Sequence, residues 1–204
     1  MAKTTYWTGA AGDGNWTNAS NWNNGVPVST DTVIFDGRGD SAGTIRALTS
    51  GLNQGAVNLA LLHIKSGFDA NGGDTGSPLE ISASEIIFEG PGVWNIKCCG
   101  PNSTSNNEVG ICIVSNTTGV LNISSNVNGA TYASKWTEVV VKAGTLQIAN
   151  STDVRKIRML AGLAVIGIDC VEVKTANAPM DIYGDGGQIT TDSPLVILSF
   201  TTRR

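Results

Sequence analysis

The sequence is poor in the groups that do chemistry. His63 is its single histidine, and only 15% of the 204 residues are charged. A lone histidine supports neither a Ser-His-Asp relay nor a two-histidine metal site. Within Leu61-Leu62-His63-Ile64 it reads as a strand residue. The basic residues are scattered, the net charge is −4, and only Arg203 and Arg204 cluster. Nucleic-acid binding needs a concentrated positive footprint, so no nucleic-acid partner is expected. No apolar run approaches the roughly 20 residues a spanning helix needs, which gives no membrane partner. Four cysteines (Cys98, Cys99, Cys112, Cys170) lack paired CxxC spacing, which argues against zinc. They read as small buried hydrophobes in a reduced compartment, with a disulfide from Cys98 or Cys99 to Cys112 as the alternative.

Carboxylates are no better arranged. Asp181 and Asp185 lie four residues apart, as do Glu85 and Glu89. On an extended strand that is about 13 Å, beyond the roughly 5–9.5 Å of glycoside hydrolysis. Pairing across turns, for instance of Asp169 or Glu172 with Asp181 or Asp185, is not singled out by any spacing. There is no G-x-S-x-G elbow and no P-loop. Gly12-Asp-Gly14, residues 71–76 and Gly184-Asp-Gly-Gly187 read as turns, as does the tripeptide Arg38-Gly39-Asp40. No catalytic residue, cofactor or metal ligand is expected, and the chain is not expected to be an enzyme.

What the sequence does have is a recurring frame. Gly92-Val-Trp-Asn-Ile96, Gly119-Val-Leu-Asn-Ile123, Gly144-Thr-Leu-Gln-Ile148 and Gly162-Leu-Ala-Val-Ile166 share a turn residue followed by apolar–polar–apolar alternation. Proline versions begin at Ser77, Ala178 and Ser193. Alternation after a turn marks a short strand entered from a corner. Its repetition at irregular spacing predicts a parallel β-helix, each turn burying its apolar face against its neighbours. The fold class expected is all-β: a single-stranded parallel β-helix over residues 46–204, preceded by a Trp-rich N-terminal cap or attachment segment over residues 1–45.

Leu121, Ile123, Leu146, Ile148, Ala164 and Ile166 are expected inside. On the strand before the corner, Val139 and Val141 point in, and the same frame places Ile111 and Ile113, and Ile157 and Met159, inward. Ile87, Val140 and Leu160 then point out. Along the recurring strand the outward residues form a column of Glu80, Asn95, Asn122, Gln147, Val165, Asp181 and Val196, in which Asn95, Asn122 and Gln147 could form an amide ladder. Outward aliphatics such as Val140, Leu160, Val165 and Val196 mark a contact surface, because exposed apolar patches usually do. Loops at 100–108 and 126–135 should leave the solenoid on one side.

Residues 1–45 carry Trp7, Trp16 and Trp22 among Gly, Asn and Asp, with little alternation before Thr32-Val-Ile-Phe35. This reads as loops pinned by buried indoles, then a first strand; the same tryptophans are candidate partner-binding residues. Met1–Tyr6 lacks the apolar segment of a secretory signal, so synthesis and retention in a cytoplasm are expected. The order Trp7-Thr-Gly9, Gly12-Asp-Gly-Asn-Trp16, Asn21-Trp22, Gly25-Val-Pro27 and Asp31-Thr-Val-Ile-Phe35 resembles the opening of β-helical regions in bacterial autotransporter-type adhesins and related phage surface proteins. The resemblance covers about thirty residues and implies a β-helical surface protein whose tryptophans serve the fold; it carries over no catalytic residue. Without a leader or membrane barrel, a virion component is expected, made in the host cytoplasm: a phage capsid decoration (cement) protein on the capsid surface. Its expected partners are the major capsid protein and itself, as a homotrimer. The alternative is a carbohydrate-binding or depolymerising β-helix module.

Overall fold

The computed structural model describes residues 1–98, 108–125, 135–149, 152, 154–166, 181–191 and 200–202. Short alternating apolar runs rich in β-branched residues make β1 (Thr4–Tyr6), β2 (Thr32–Phe35), β3 (Asn53–Ile64), β4 (Leu79–Phe88), β5 (Val93–Cys98), β6 (Glu108–Ser125), β7 (Lys135–Ile148), β8 (Lys156–Met159), β9 (Leu163–Ile166), β10 (Asp181–Gly184), β11 (Gln188–Thr191) and β12 (Phe200–Thr202). Every pairing between these strands is parallel. The result is a β-solenoid of about six turns. The single helical element among the described residues is the 3-10 turn Ala19–Asn21.

Two faces follow from the register. On the first face β1, β2, the second half of β3, the second half of β4, the first halves of β6 and β7, then β8, β10 and β12 lie side by side. On the second face, the start of β4, β5, the second halves of β6 and β7, then β9 and β11 do the same. Strands β6 and β7 therefore each run across a corner.

Stacking in register turns each inward position into an apolar column. Val33, Leu62, Ile86, Cys112, Val139, Ile157 and Ile182 form one on the first face, all buried. Trp94, Leu121, Leu146 and Ala164 form one on the second, also buried. Each fully buried Leu or Ile contributes about 1.5–3 kcal/mol. The corners between the faces are tight. Gly144 and Gly162 turn with φ of 82° and 84°, where an L side chain is strained. A Cβ at Gly144 would sit 1.8 Å from the Asn116 carbonyl oxygen, and one at Gly162 would sit 2.5 Å from that of Gly144.

The core is not uniform along its length. At the β1 end it is aromatic: Trp7 and Trp16 each meet Trp22 edge-on, at 5.0 and 4.8 Å between centroids, and Phe35 meets Phe68 and Trp94 at 5.1 and 4.8 Å. Indole N–H groups find backbone acceptors, Trp7 at Arg46 O (2.8 Å) and Trp22 at Trp16 O (2.7 Å). Trp16 Nε1 has none. Residues 1–45 share this one core with the turns that follow.

The structure corrects several sequence expectations. Ile111 and Ile113 point outward, because Cys112 and Val114 align with Val139 and Val141. The corner Ser115–Gly119 holds two residues more than Lys142–Gly144, an even number that leaves the alternation in phase. Counted back from Leu121 by an odd spacing, like that which separates Val141 from Leu146, the inward positions are Val114 and Cys112, so Ile111 and Ile113 lie one residue out of that phase. Glu80 does not stand in line with Asn95: it lies beside Lys97, because residues 73–78 pucker out of the strand around the Asp74 carboxylate, which accepts from Gly76 N and Ser77 N. Asp181 belongs to the first face, beside Lys156, and Thr190 takes its expected place beside Val165. Strand β1 adds a pairing where only loops were expected. Cys98 and Cys112 sit inward on different faces without bridging, and burial raises the Cys112 thiol pKa strongly. Cys99, Cys170, Asp169, Glu172, Val196 and residues 100–107 and 126–134 of the two long loops lie outside the described residues.

Candidate functional site

Side chains alternate across a strand, so each inward column on the first face has an outward column beside it. One runs Tyr6, Ile34, His63, Ile87, Ile113, Val140, Arg158, Tyr183. The next carries Leu61, Glu85, Ile111 and Glu138. Together they make an apolar stripe of Ile87, Ile113 and Val140 on successive turns with Ile111 beside it, while His63 separates Ile34, and Glu85 separates Leu61, from the rest. Ile34 and Val140 are 9% and 6% exposed, while Leu61, Ile87, Ile111 and Ile113 remain part-exposed. Stacked neighbours shield one another laterally, which is why outward aliphatics reach such low values.

Polar groups of the same two columns and their neighbours are paired. Glu138 contacts both Lys156 (3.3 Å) and Arg158 (3.7 Å). His63 Nε2 lies 2.9 Å from Glu89 Oε2, and the Glu89 carbonyl accepts from the Asn116 amide. At the β1 end the Arg38 guanidinium lies 3.9 Å over the Tyr6 ring and pairs with Asp36 at 2.6 Å. Both ends of the Arg38-Gly39-Asp40 tripeptide are thereby engaged, since Asp40 binds Arg46 and the backbone N–H groups of Ala42 and Thr44.

The second face differs. Its outward column is Asn95, Asn122, Gln147, Val165, Thr190. Asn122 Nδ2 donates to Asn95 Oδ1 at 2.9 Å, and Asn95 Nδ2 donates to Gly73 O at 3.2 Å. Gln147 follows in register. Beside this column lie two shallow clefts, the larger of about 360 Å³, bordered by Thr49, Asn53, Ser77 and Glu80 among others.

Comparison with family models, with curated proteins and with solved structures finds no match.

The residues named as contact candidates separate. Val140 joins the stripe. Leu160 is exposed at the bend after β8 and Val165 lies on the second face, so neither extends it. Trp7, Trp16 and Trp22 are buried, with their rings in the core. Ile111 and Ile113 were expected inside and stand outside, one residue out of the phase of Leu121; Ile34 and Leu61 were likewise not read as outward. Sequence reasoning also missed the His63–Glu89 pair, which no local spacing announces because the partners are a full turn apart. Among the described residues no three His, Cys, Asp or Glu side chains converge as a metal site.

Proposed function

We propose that this chain is a structural protein of a bacteriophage virion, a capsid decoration (cement) protein that acts by contact. The observation that carries the reading is the apolar stripe on the first face, centred on Ile87, Ile113 and Val140. A contiguous outward apolar patch on an otherwise polar surface supports an interaction site. The occupant proposed for it is the chain itself, as a homotrimer about an axis parallel to the solenoid, since closed symmetric association is the common way to cover such a face. The Trp-rich segment serves as the cap of the solenoid. The trimer in turn bridges neighbouring major capsid protein subunits, adding buried surface at their joints and stabilising the assembled state by mass action.

The glycan-binding alternative gains less support. Gripping a sugar chain calls for a row of exposed aromatic platforms; all five tryptophans are buried, and the part-exposed Tyr6 and Tyr183 stand at opposite ends of the outward column.

Sedimentation velocity and a capsid-binding assay test the reading. The wild-type protein should run as a trimer at micromolar concentration and should bind capsids that lack it, raising their melting temperature. Ile113→Glu should run as a monomer. A wild-type monomer that leaves such capsids unchanged would sink the proposal.

A further inference from the structure

The first strand of a solenoid is an edge, and a bare edge recruits other strands. Backbone groups along β1 alternate sides. One side faces β2: Trp7 N donates to Ile34 O at 3.0 Å, and Thr32 N donates to Lys3 O at 2.9 Å. The other side faces away from the sheet, and a short stretch of the chain itself occupies it. Asn24 Nδ2 donates to Thr4 O at 2.8 Å. Tyr6 N donates to Asn23 Oδ1 at 2.8 Å, and Asn23 N returns a bond to Tyr6 O at 3.1 Å. Thr8 N is taken by Asn21 O at 2.8 Å. The Lys3 ammonium holds the stretch down, donating to Asn24 O (2.8 Å) and Val26 O (3.1 Å), and Thr5 Oγ1 donates to Gly25 O (3.1 Å).

What matters is how these bonds are made. Two of the three on β1 come from amide side chains, the bond at Thr8 belongs to a single antiparallel bridge between Trp7 and Trp22, and residues 23–26 are turn and coil, with Gly25 at a φ of 74°. A strand in that position would satisfy β1 and present a fresh ladder on its outer side. A turn that reaches in with side chains satisfies β1 and presents none. The chain therefore ends its sheet where a further strand would prolong it.

We propose that Asn23 and Asn24 are an edge guard that prevents a second copy of this chain from stacking end-on against β1. A second copy is the natural competitor, because among the described residues β12 is the last strand of the same sheet and has the same parallel sense. One molecule's β12 would complement another's β1 if β1 were laid bare. Such a contact is head-to-tail and does not close, so it would grow into filaments. This guard is independent of whatever covers the apolar stripe on the first face.

The test is an Asn23→Ala/Asn24→Ala double variant, compared with wild type and with Asn23→Asp. Sedimentation velocity and electron microscopy read the size distribution, and circular dichroism confirms the fold. The double variant should form an open-ended, concentration-dependent series of rods one solenoid wide or one trimer wide. Asn23→Asp should match wild type, because its carboxylate still accepts from Tyr6 N and adds repulsion. Adding Ile113→Glu to the double variant should remove lateral association and leave the rods. A folded double variant with the discrete size of wild type would overturn the proposal. Should the double variant not fold, Asn23→Ala alone is read by hydrogen exchange at the Tyr6 amide. Exchange at least tenfold faster than in wild type is expected, and an unchanged rate would overturn the proposal equally.

Discussion

The two faces of this solenoid have the same interior and opposite exteriors. Behind each stands a column of buried apolar side chains in register, Leu62–Ile86–Cys112–Val139 on one and Trp94–Leu121–Leu146–Ala164 on the other. In front, the first face carries Ile87, Ile113 and Val140 where the second carries Asn95, Asn122 and Gln147. Coiling the chain requires only the inner columns. The amides are compatible with a monomer in water, since their own ladder or solvent satisfies them. Of the outward aliphatics Val140 is covered by its stacked neighbours, while Ile87 and Ile113 stay part-exposed. Coiling does not require the difference between the faces, and the proposed contact surface rests on it.

Substitutions that separate inner from outer columns should show this most strongly. Leu121→Ala removes a fully buried side chain between Trp94 and Leu146. It should cost about 2–5 kcal/mol of unfolding free energy in a denaturant titration. A loss comparable to that of a surface mutation would mean the second face is not packed as described.

One residue along the same strand, Asn122→Ala deletes the donor to Asn95 Oδ1. Asn95 is only 6% exposed, so its oxygen is left poorly solvated. The expected loss is about 1–2 kcal/mol with no change in oligomeric state. A change in sedimentation would move the contact surface to the amide face and reverse the comparison.

On the first face the same logic predicts the opposite profile. Ile87→Ser should change the unfolding free energy of the monomer by about 1 kcal/mol or less, yet shift the association equilibrium toward monomer. The two readouts part company only if the stripe is covered by another molecule; a large stability loss without dissociation would show it to be covered from within.

Acid supplies the smallest effect, at the Asp36–Arg38 pair beside Tyr6 and at Asp40. Burial alone would raise the Asp36 carboxyl pKa, but the hydrogen bond and charge of Arg38 outweigh it and hold it below the usual carboxylate value. Backbone donors at Thr44 and Ala42 and the Arg46 side chain lower Asp40 likewise. A depressed folded pKa stabilises above the unfolded value, and that stabilisation disappears as pH falls through the folded one. Tryptophan fluorescence from the β1 end should therefore begin to change only below about pH 4, while association through the stripe persists. Loosening of the aromatic end at neutral pH would refute the assignment.

How much of this was legible in the sequence depends on where the alternation was interrupted. Leu121, Ile123, Leu146, Ile148 and Ala164 are buried as the repeated frame requires, because four of its copies enter the second face from equivalent corners. Ile166 lies on β9 in register with Ile148. The expectations failed at three places. Ile111 and Ile113 lie one residue out of the phase that Leu121 sets, the Asp74 turn shifted Glu80 by two positions, and Ile182 lies on the other face. Alternation specifies which residues share a side. It does not specify how many residues a corner consumes, and that number sets the phase. The amide contact between Asn95 and Asn122 was readable because both occupy the same place in the frame. The His63–Glu89 pair was not, because its partners occupy different places in it.

The parallel register has a mechanical side. Pulled along the solenoid axis, the sheet takes the force one ladder at a time, so the molecule yields turn by turn from whichever end gives first. Pulled along its strands, each ladder resists with all of its hydrogen bonds together, and they must shear at once. The same backbone is therefore compliant in one direction and stiff in the other. Because the interlocked indoles lie at the β1 end, axial peeling should start from the opposite end. A solenoid of this construction holds best when anchored so that the pull on it runs across its axis.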